Sequence, residues 1–521
     1  MCLIKRHSRI MNNNCRNSRK NRVTHATQLA SDKIDPHNAS CKHNGLENEV
    51  IMKRVLKYIL LIYVGINIIV GYLFWPRIDQ FLRFMPRISP PEYSAAQSTA
   101  EAQQQDISYL ENILLYDRSF SDAAQTKFRD RAQDIKSQTD EMTKAEFYLA
   151  VRELTSIADN GHTSVGASPV FQDFNRSGVD IYSFKDGYFI VRAHKDHADL
   201  VGKQATHIDG RPIADIIKDL RIYTGGPDNW RDIRALNILR SPALLHAAGL
   251  IDNPDEITLT VQSEGNETHQ VEISALPAAG DTGYYRHPFM MLVPDTLNDE
   301  GDDWARTLNG APETVASYLE KTSDIVKSEP VGNGLYIRSN YLLGSKDYSV
   351  KKALLSSLEQ APDSGYDFIV VDLRWNPGGD YGNAVPFARQ LKNVLNEDGT
   401  IYVITGAHTF SAAIVTSALI KQSAPDQTLI IGETMGDRPQ FWAERGKPFI
   451  LPNSGYWINY ATGFHDWEKG CTKTHKYCFP PNKKHEKDIG TLSLDVEIAP
   501  TYSEYAAGND VVMDWVLKQE K

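Results

Sequence analysis

Residues 402–420 read YVITGAHTFSAAIVTSALI. Tyr402–Thr405 is a short apolar, β-branched run of the kind that packs as a buried strand. Ala412–Gln422 is an apolar stretch of helical length, so a loop carrying Gly406 must turn strand into helix, with Ser411 at the junction. The same grammar repeats on both sides. Upstream, VVDLRWNPGGDYG (370–382) runs from a strand into a turn with two adjacent glycines; downstream, IIGETMGDRP (430–439) is another strand ending in a glycine-bearing loop. Strands are expected at Leu335–Ser339, Phe368–Leu373, Ile401–Thr405 and Leu429–Ile431, with helices near Val350–Leu358, Val385–Leu395 and Ala412–Gln422 between them. That alternation specifies an α/β core over residues 331–521, a sheet covered by helices.

Two of these junctions hold candidate chemistry. A serine at the head of a helix either caps it, through its side-chain oxygen, or projects its hydroxyl beside the unpaired N–H of the next residue, Ala412, where negative charge can be stabilised. Gly378-Gly379 either makes a tight turn or turns backbone N–H groups toward a ligand free of side-chain interference. His408, three residues before Ser411, is expected to be exposed in the approach loop.

Working toward the N-terminus, residues 277–330 read as linker, with a peripheral helix in the polar, acidic stretch 294–322. Residues 170–276 form a β-rich module with one or two helices, marked by the turn dipeptides Asp186-Gly187 and Asp209-Gly210. Residues 100–165 form a helical domain. Its apolar residues recur at helical spacing (Ile107, Leu110, Leu114; Phe128, Ala132, Ile135; Phe147, Val151, Leu154), and Thr143 with Glu146 makes a capping box. It ends in the loop Asp159-Asn160-Gly161-His162-Thr163.

Val55–Trp75 is almost wholly apolar and long enough to cross a bilayer. Lys53, Arg54 and Lys57 at its leading end keep that end cytoplasmic and send the remainder across the membrane. The segment is read as an uncleaved anchor over 51–76, because its downstream flank lacks the small residues of a signal-peptidase site. Residues 1–50 are polar and without periodicity, and are expected to be a disordered tail, or not translated at all, since Met52 begins a natural anchor start. Residues 1–57 carry 12 Lys+Arg against 4 Asp+Glu, or +8, which leaves −18 for the remainder of a chain of net charge −10. An acidic exported body argues against nucleic acid or anionic lipid as partner. Cys471 and Cys478 are spaced for one local disulfide in an oxidising compartment, the alternative being a zinc site with His475.

The order DLRWNPGG, TFSAA, IGETMG resembles the core of the tail-specific, or C-terminal-processing, serine peptidase family. ELTSIADNGHTSV (153–165) is similar to the end of that family's helical domain, LVGKQATHIDGRPI (200–213) to its PDZ-type module, and LPNSGYWINYA (451–461) with VEIAPTYSEYAAGND (496–510) to its last strands and tail. The resemblance implies a crotonase/ClpP-like ββα core with an N-terminal helical domain and a PDZ-like β module, to which the apolar run adds one transmembrane helix. It implies a peptidase acting on peptides or unfolded proteins without cofactor or metal, and the charged flank of the anchor places it on the periplasmic or otherwise extracytoplasmic side of the inner membrane. Ser411 matches the nucleophile, the Gly379 and Ala412 amides match the oxyanion donors, and Asp372 and Arg374 match the DLR motif, Arg374 as an internal charge partner.

One position departs from the pattern. The best-known branch places its base, a lysine, just after the loop corresponding to Gly432–Gly436, but here Asp437 and Arg438 follow. A guanidinium stays protonated and cannot accept the serine proton. His162 is then the candidate base, as in the tricorn-like branch, against the alternative of a loop histidine bonded to its own turn. Ser164, Asp159, or a carboxylate from 433–444 or 465–497 are the candidates to orient it. Two other readings stand beside the peptidase: an inactive peptide-binding or scaffolding homologue, and a hydrolase of small esters or amides.

Overall fold

The computed structural model describes residues 36–521 apart from 141, 264, 266, 280–287, 295–302, 309–314, 321–323, 360, 472–474 and 486. The chain divides into two units, Met1–Asp79 and Gln80–Lys521.

A single helix runs over Pro36–Phe84. Proline is pre-organised for the first helical position, where its missing N–H would have had no partner. Residues 36–50, expected to belong to a disordered tail, are therefore helical; residues 1–35 of that tail lie outside the described residues. Within the helix, Ile51–Phe74 has a mean hydropathy of 1.9 and no buried side chains. At ~1.5 Å per residue it is about 36 Å long, more than a hydrocarbon core of ~30 Å.

The second unit is built on a sheet of six strands: β1 (Val326–Val331), β2 (Gly334–Ser339), β3 (Tyr366–Asp372), β4 (Leu395–Thr405), β5 (Thr428–Gly432) and β6 (Val496–Glu497), in spatial order β6-β5-β4-β3-β2-β1. β1 and β2 form an antiparallel hairpin and every other pair is parallel. Side chains alternate between the two faces of a strand, and both faces are buried here. Leu335, Ile337, Ile369, Val371, Ile401, Val403 and Ile430 meet helices Val350–Ser356, Val385–Gln390 and Ala412–Ser423 on one side. Tyr336, Phe368, Val370, Tyr402, Ile404 and Ile431 meet the helix Val511–Gln519 on the other. The helix expected to reach Leu395 stops earlier, and Leu395 opens β4, pairing with Tyr366 before a register shift.

Five strands of the β module's seven-stranded sheet run in sequence order (Val179–Phe184, Gly187–His194, Gln204–Ile208, Glu256–Gln262, Thr268–Ser274), joined antiparallel. Asp209 and Gly210 both take positive φ, 48° and 75°, as a two-residue hairpin turn requires. Three helices, Ile213–Leu220, Asp228–Leu239 and Pro242–Ala247, are inserted before the fourth strand. Of segment 277–330, expected to be linker with a peripheral helix in 294–322, much of that helical stretch lies outside the described residues; the described parts hold the 3-10 turn Pro288–Met291 and two strands. Trp304–Arg306 pairs with Arg192–His194, and Val326–Val331 is the edge of the main sheet. Backbone groups of an edge strand need partners, and these short runs supply them.

Helices Thr99–Leu110, Ile113–Tyr116, Asp122–Gln138 and Lys144–Ser156 follow the expected spacing, and both halves of the Thr143–Glu146 capping box form. Their core is continuous with that of the β module and of the strands Phe449–Ile450 and Trp457–Asn459. The last of these pairs with Ser164–Val165, which clamps the outgoing end of the 159–163 loop. Cys471 and Cys478 are joined by a disulfide.

Candidate active site

Ser411 does not cap its helix. Its φ and ψ are 55° and −121°, and its side chain accepts no N–H from the first turn. A true N-cap is extended and accepts such a bond, so the capping reading fails for this residue. A non-glycine residue held at such angles costs on the order of 1–3 kcal/mol and persists only where its surroundings enforce it. They do so here. Thr409 donates its hydroxyl to the Leu373 carbonyl at 2.7 Å and accepts the Gly406 N–H at 2.9 Å. The Phe410 N–H donates to the Asn376 carbonyl, and the Gly436 N–H donates to that of Thr409.

The glycine pair is forced by contact. Fully buried Asn376 donates to the Ser339 carbonyl at 2.8 Å and accepts the Gly378 N–H at 2.9 Å. A Cβ on Gly378 would stand 2.7 Å from the Ser411 Cβ and 2.9 Å from the Ala412 nitrogen. One on Gly379 would stand 2.5 Å from the Leu342 carbonyl carbon. Leu342 bridges this turn in parallel fashion, donating to the Gly378 carbonyl and accepting the Asp380 N–H. That pattern uses the residues either side of Gly379 and leaves the Gly379 N–H facing away from the bridge. The Ala412 N–H, in the first helical turn, has no intrahelical acceptor. Gly378→Ala is expected to destabilise the turn by about 1–3 kcal/mol, because its Cβ would overlap the Ser411 Cβ and the Ala412 nitrogen at a φ of 107° that disfavours a side chain. Urea denaturation of the purified variant checks this.

The 159–163 loop reaches the same place. Asp159 (φ 48°) accepts Arg231 at 2.5 Å and Arg438 at 3.1 Å, and its carbonyl accepts a second Arg438 N–H. Thr163 donates at 2.6 Å to buried Asp117, which also accepts the Ala461 N–H. Between these anchors Gly161 presses against Phe410, and the His162 ring packs against Phe410, the residue before Ser411, at 4.5 Å and a tilt of 30°. On its other face His162 stacks on Phe441 at 5.2 Å and 13°. Its Nδ1 lies 3.7 Å from the Asp437 Oδ2, and neither ring nitrogen has a hydrogen-bond partner among the described residues. The two other orienting candidates are turned elsewhere: Asp159 to its arginines, Ser164 to Asn459 at 3.3 Å.

The aromatic column extends past this trio. Trp230 stacks behind Phe410 at 4.3 Å, and His465 stacks behind Phe441 at 4.7 Å. His465 Nδ1 faces the Asn482 amide at 2.7 Å and accepts the Trp467 indole N–H at 3.2 Å, which places its proton on Nε2, 3.3 Å from Glu444. Burial pushes the His465 pKa down and Glu444 opposes this, so the ring is a neutral wall of the column. Sequence reasoning missed His465 and did not single out Asp437. The available signal for Asp437 was its position directly after the Gly432–Gly436 loop.

Arg374 is structural. It binds Asp372 (Nε, 3.0 Å) and Asp510 (3.1 and 2.9 Å) and lies over the Tyr318 ring at 4.1 Å, while Asp510 caps helix Val511–Gln519. His408, expected to be exposed, is buried; desolvation first, then Arg234, lower its pKa to about 3. A base whose folded pKa is depressed contributes fully above the unfolded value of ~6.5, and stability is lost as pH falls from there toward 3. His408→Asn is expected to flatten that slope, by up to about 1.4 kcal/mol per pH unit, in denaturant titrations between pH 6.5 and 4. Among the described residues no group of three or more His, Cys, Asp or Glu side chains is placed to hold a metal ion.

No family model matches the chain, and no curated protein matches its sequence. Among solved structures it is similar to mature CPAF complexed with lactacystin, at 13% identity over 81% of this chain and 98% of that one, with a TM-score of 0.51. A second structure of mature CPAF gives 13%, 81%, 97% and 0.50. A photosystem II D1 C-terminal processing protease is also among the similar structures, at 14% identity over 78% of this chain and 98% of that chain, with a TM-score of 0.33. The chain therefore shares the fold of mature CPAF over four-fifths of its own length and nearly all of CPAF's.

Proposed function

We propose that this chain is a membrane-anchored serine peptidase of the tail-specific type that hydrolyses peptide bonds of exported or unfolded polypeptides. The observation that carries the reading is Ser411, held at φ 55° at the head of a buried helix with its hydroxyl capping nothing, one stacked ring away from an unbonded histidine. Ser411 Oγ attacks the carbonyl carbon as its proton passes to His162. Asp437, at Nδ1, orients the ring and stabilises the imidazolium, standing where the lysine branch keeps its base. The Gly379 and Ala412 N–H groups receive the oxyanion, a contribution of about 3 kcal/mol per donor in comparable sites. The imidazolium then protonates the leaving amine, and water, deprotonated by the same ring, releases the acyl group from Ser411.

In this proposal the six-stranded sheet is a crotonase/ClpP-type core, and the 179–274 strands are a PDZ-type module that presents an extended peptide by strand addition. The apolar helix anchors the chain, with the peptidase on the extracytoplasmic side. The test compares cleavage of an unstructured reporter protein by the full chain, Ser411→Ala, His162→Ala and Asp437→Asn. Equal cleavage by all four refutes the mechanism; turnover of small esters but no polypeptide by the unaltered chain supports the small-molecule reading instead.

A further inference from the structure

The described residues enclose a cavity of about 230 Å³ at the carboxyl ends of β3, β4 and β5. In open α/β sheets this edge is where ligands bind. Its floor is Gly432 and Glu433, just beyond β5, and its walls include Tyr182, Tyr318, Trp375 and His408, with the first strand of the β module and helix Asp228–Leu239 closing the sides. The volume is below the ~300–1,000 Å³ of sites for drug-sized ligands and suits one side chain.

The charges decide which side chain. Arg374 is saturated by Asp372 and Asp510, and Asp232 by Arg221 at 2.6 and 2.8 Å. Lys185 is exposed at the rim. Glu433 differs. Its backbone is fixed by reciprocal bonds with Thr405, 3.0 Å from its N–H and 2.8 Å to its carbonyl, whereas its carboxyl group has no hydrogen bond or ion pair among the described residues. The Glu433 side chain is exposed, so its unpaired carboxylate is open to an incoming cation, and the aromatic walls add cation–π attraction.

The cavity is linked to Ser411 through the two loops that help line it. His408 and Trp375 line it; Ser411 lies three residues after His408, and Gly378, in contact with Ser411, three after Trp375. Three residues span at most about 11 Å between Cα atoms, or about three residues of an extended peptide. We infer that this cavity receives a Lys or Arg side chain of a polypeptide substrate, two or three residues from the bond that Ser411 attacks, with Glu433 as its counter-charge. This rests on the peptidase reading of Ser411, and it is tested by binding so that the two can fail separately.

The experiment uses the full chain carrying Ser411→Ala and fluorescent, N-acetylated decapeptides that differ at one central position, Lys or norleucine, read by fluorescence anisotropy. About tenfold tighter binding of the lysine peptide is expected, falling to about onefold in Ser411→Ala/Glu433→Gln. A peptide whose one cation is its free amino terminus separates recognition of a chain end from recognition of a side chain; preference for that peptide over the internal lysine overturns the inference. Equal binding of the Lys and norleucine peptides, no binding of either, or a preference that survives Glu433→Gln overturns it as well. The comparison within the Ser411→Ala chain stands even if the double variant does not fold. Loss of hydrolysis is read separately, from Ser411→Ala against the unaltered chain.

Discussion

Ser411→Ala is expected to lower kcat for peptide hydrolysis on the order of 10⁶-fold, because a serine and its base act as a unit and removing either removes the nucleophilic route. For the same reason Ser411→Ala/His162→Ala should be no slower than either single variant, and that non-additivity is the sharper readout. Stability should not follow activity. The hydroxyl caps nothing, and alanine inherits the same positive φ, so the melting temperature should hold. Ser411→Gly relieves the backbone and should be the more stable variant by about 1 kcal/mol while equally inactive. Steady-state kinetics and thermal denaturation on the same preparations check all of this; a Ser411→Ala chain with a large fall in melting temperature would show that the serine is structural.

Arg374→Ala is expected to produce the largest loss of stability, about 3–5 kcal/mol, although Arg374 makes no contact with the reacting atoms in the mechanism above. Its removal strands two carboxylates, Asp372 and Asp510, of which Asp372 is almost completely buried. Breaking a buried pair from one side leaves an uncompensated charge. Asp372 retains the Tyr336 hydroxyl at 2.8 Å, too little to replace a guanidinium. Urea denaturation should show the shift in midpoint, with a partial rescue by Arg374→Ala/Asp372→Asn. Arg374→Lys should recover only part of the loss, since an ammonium cannot reproduce the bidentate contact with Asp510.

How far the sequence carries depends on the range of the interaction. The main strands, the 412–423 helix and the capping box at Thr143 are local patterns of period and propensity, and they were legible to within a few residues. The two short strands in segment 277–330 were not legible because they exist only through pairing with Arg192–His194 and β2. Ser411 could be placed at a junction, but a capping serine and a strained one share the same local sequence and differ only in φ. His408 lies in a loop by every local sign, and only the packing of the β module and helix 228–239 around it makes it buried. Asp437 has only its position directly after the Gly432–Gly436 loop as a local sign and His465 has none, since each matters through a ring supplied from far away in the chain.

The stacked column has a temporal consequence. Trp230, Phe410, His162, Phe441 and His465 come from five separate stretches between residues 162 and 465, and Asp437 shares the stretch of Phe441. A chain emerging from its amino end presents His162 long before Ser411, and Ser411 before Asp437. The sheet is then completed by Val496–Glu497 and sealed by the Arg374–Asp510 clasp. The column and the sheet beneath it are thus completed only when the last segments of the chain, Val496–Glu497 and Asp510, are in place.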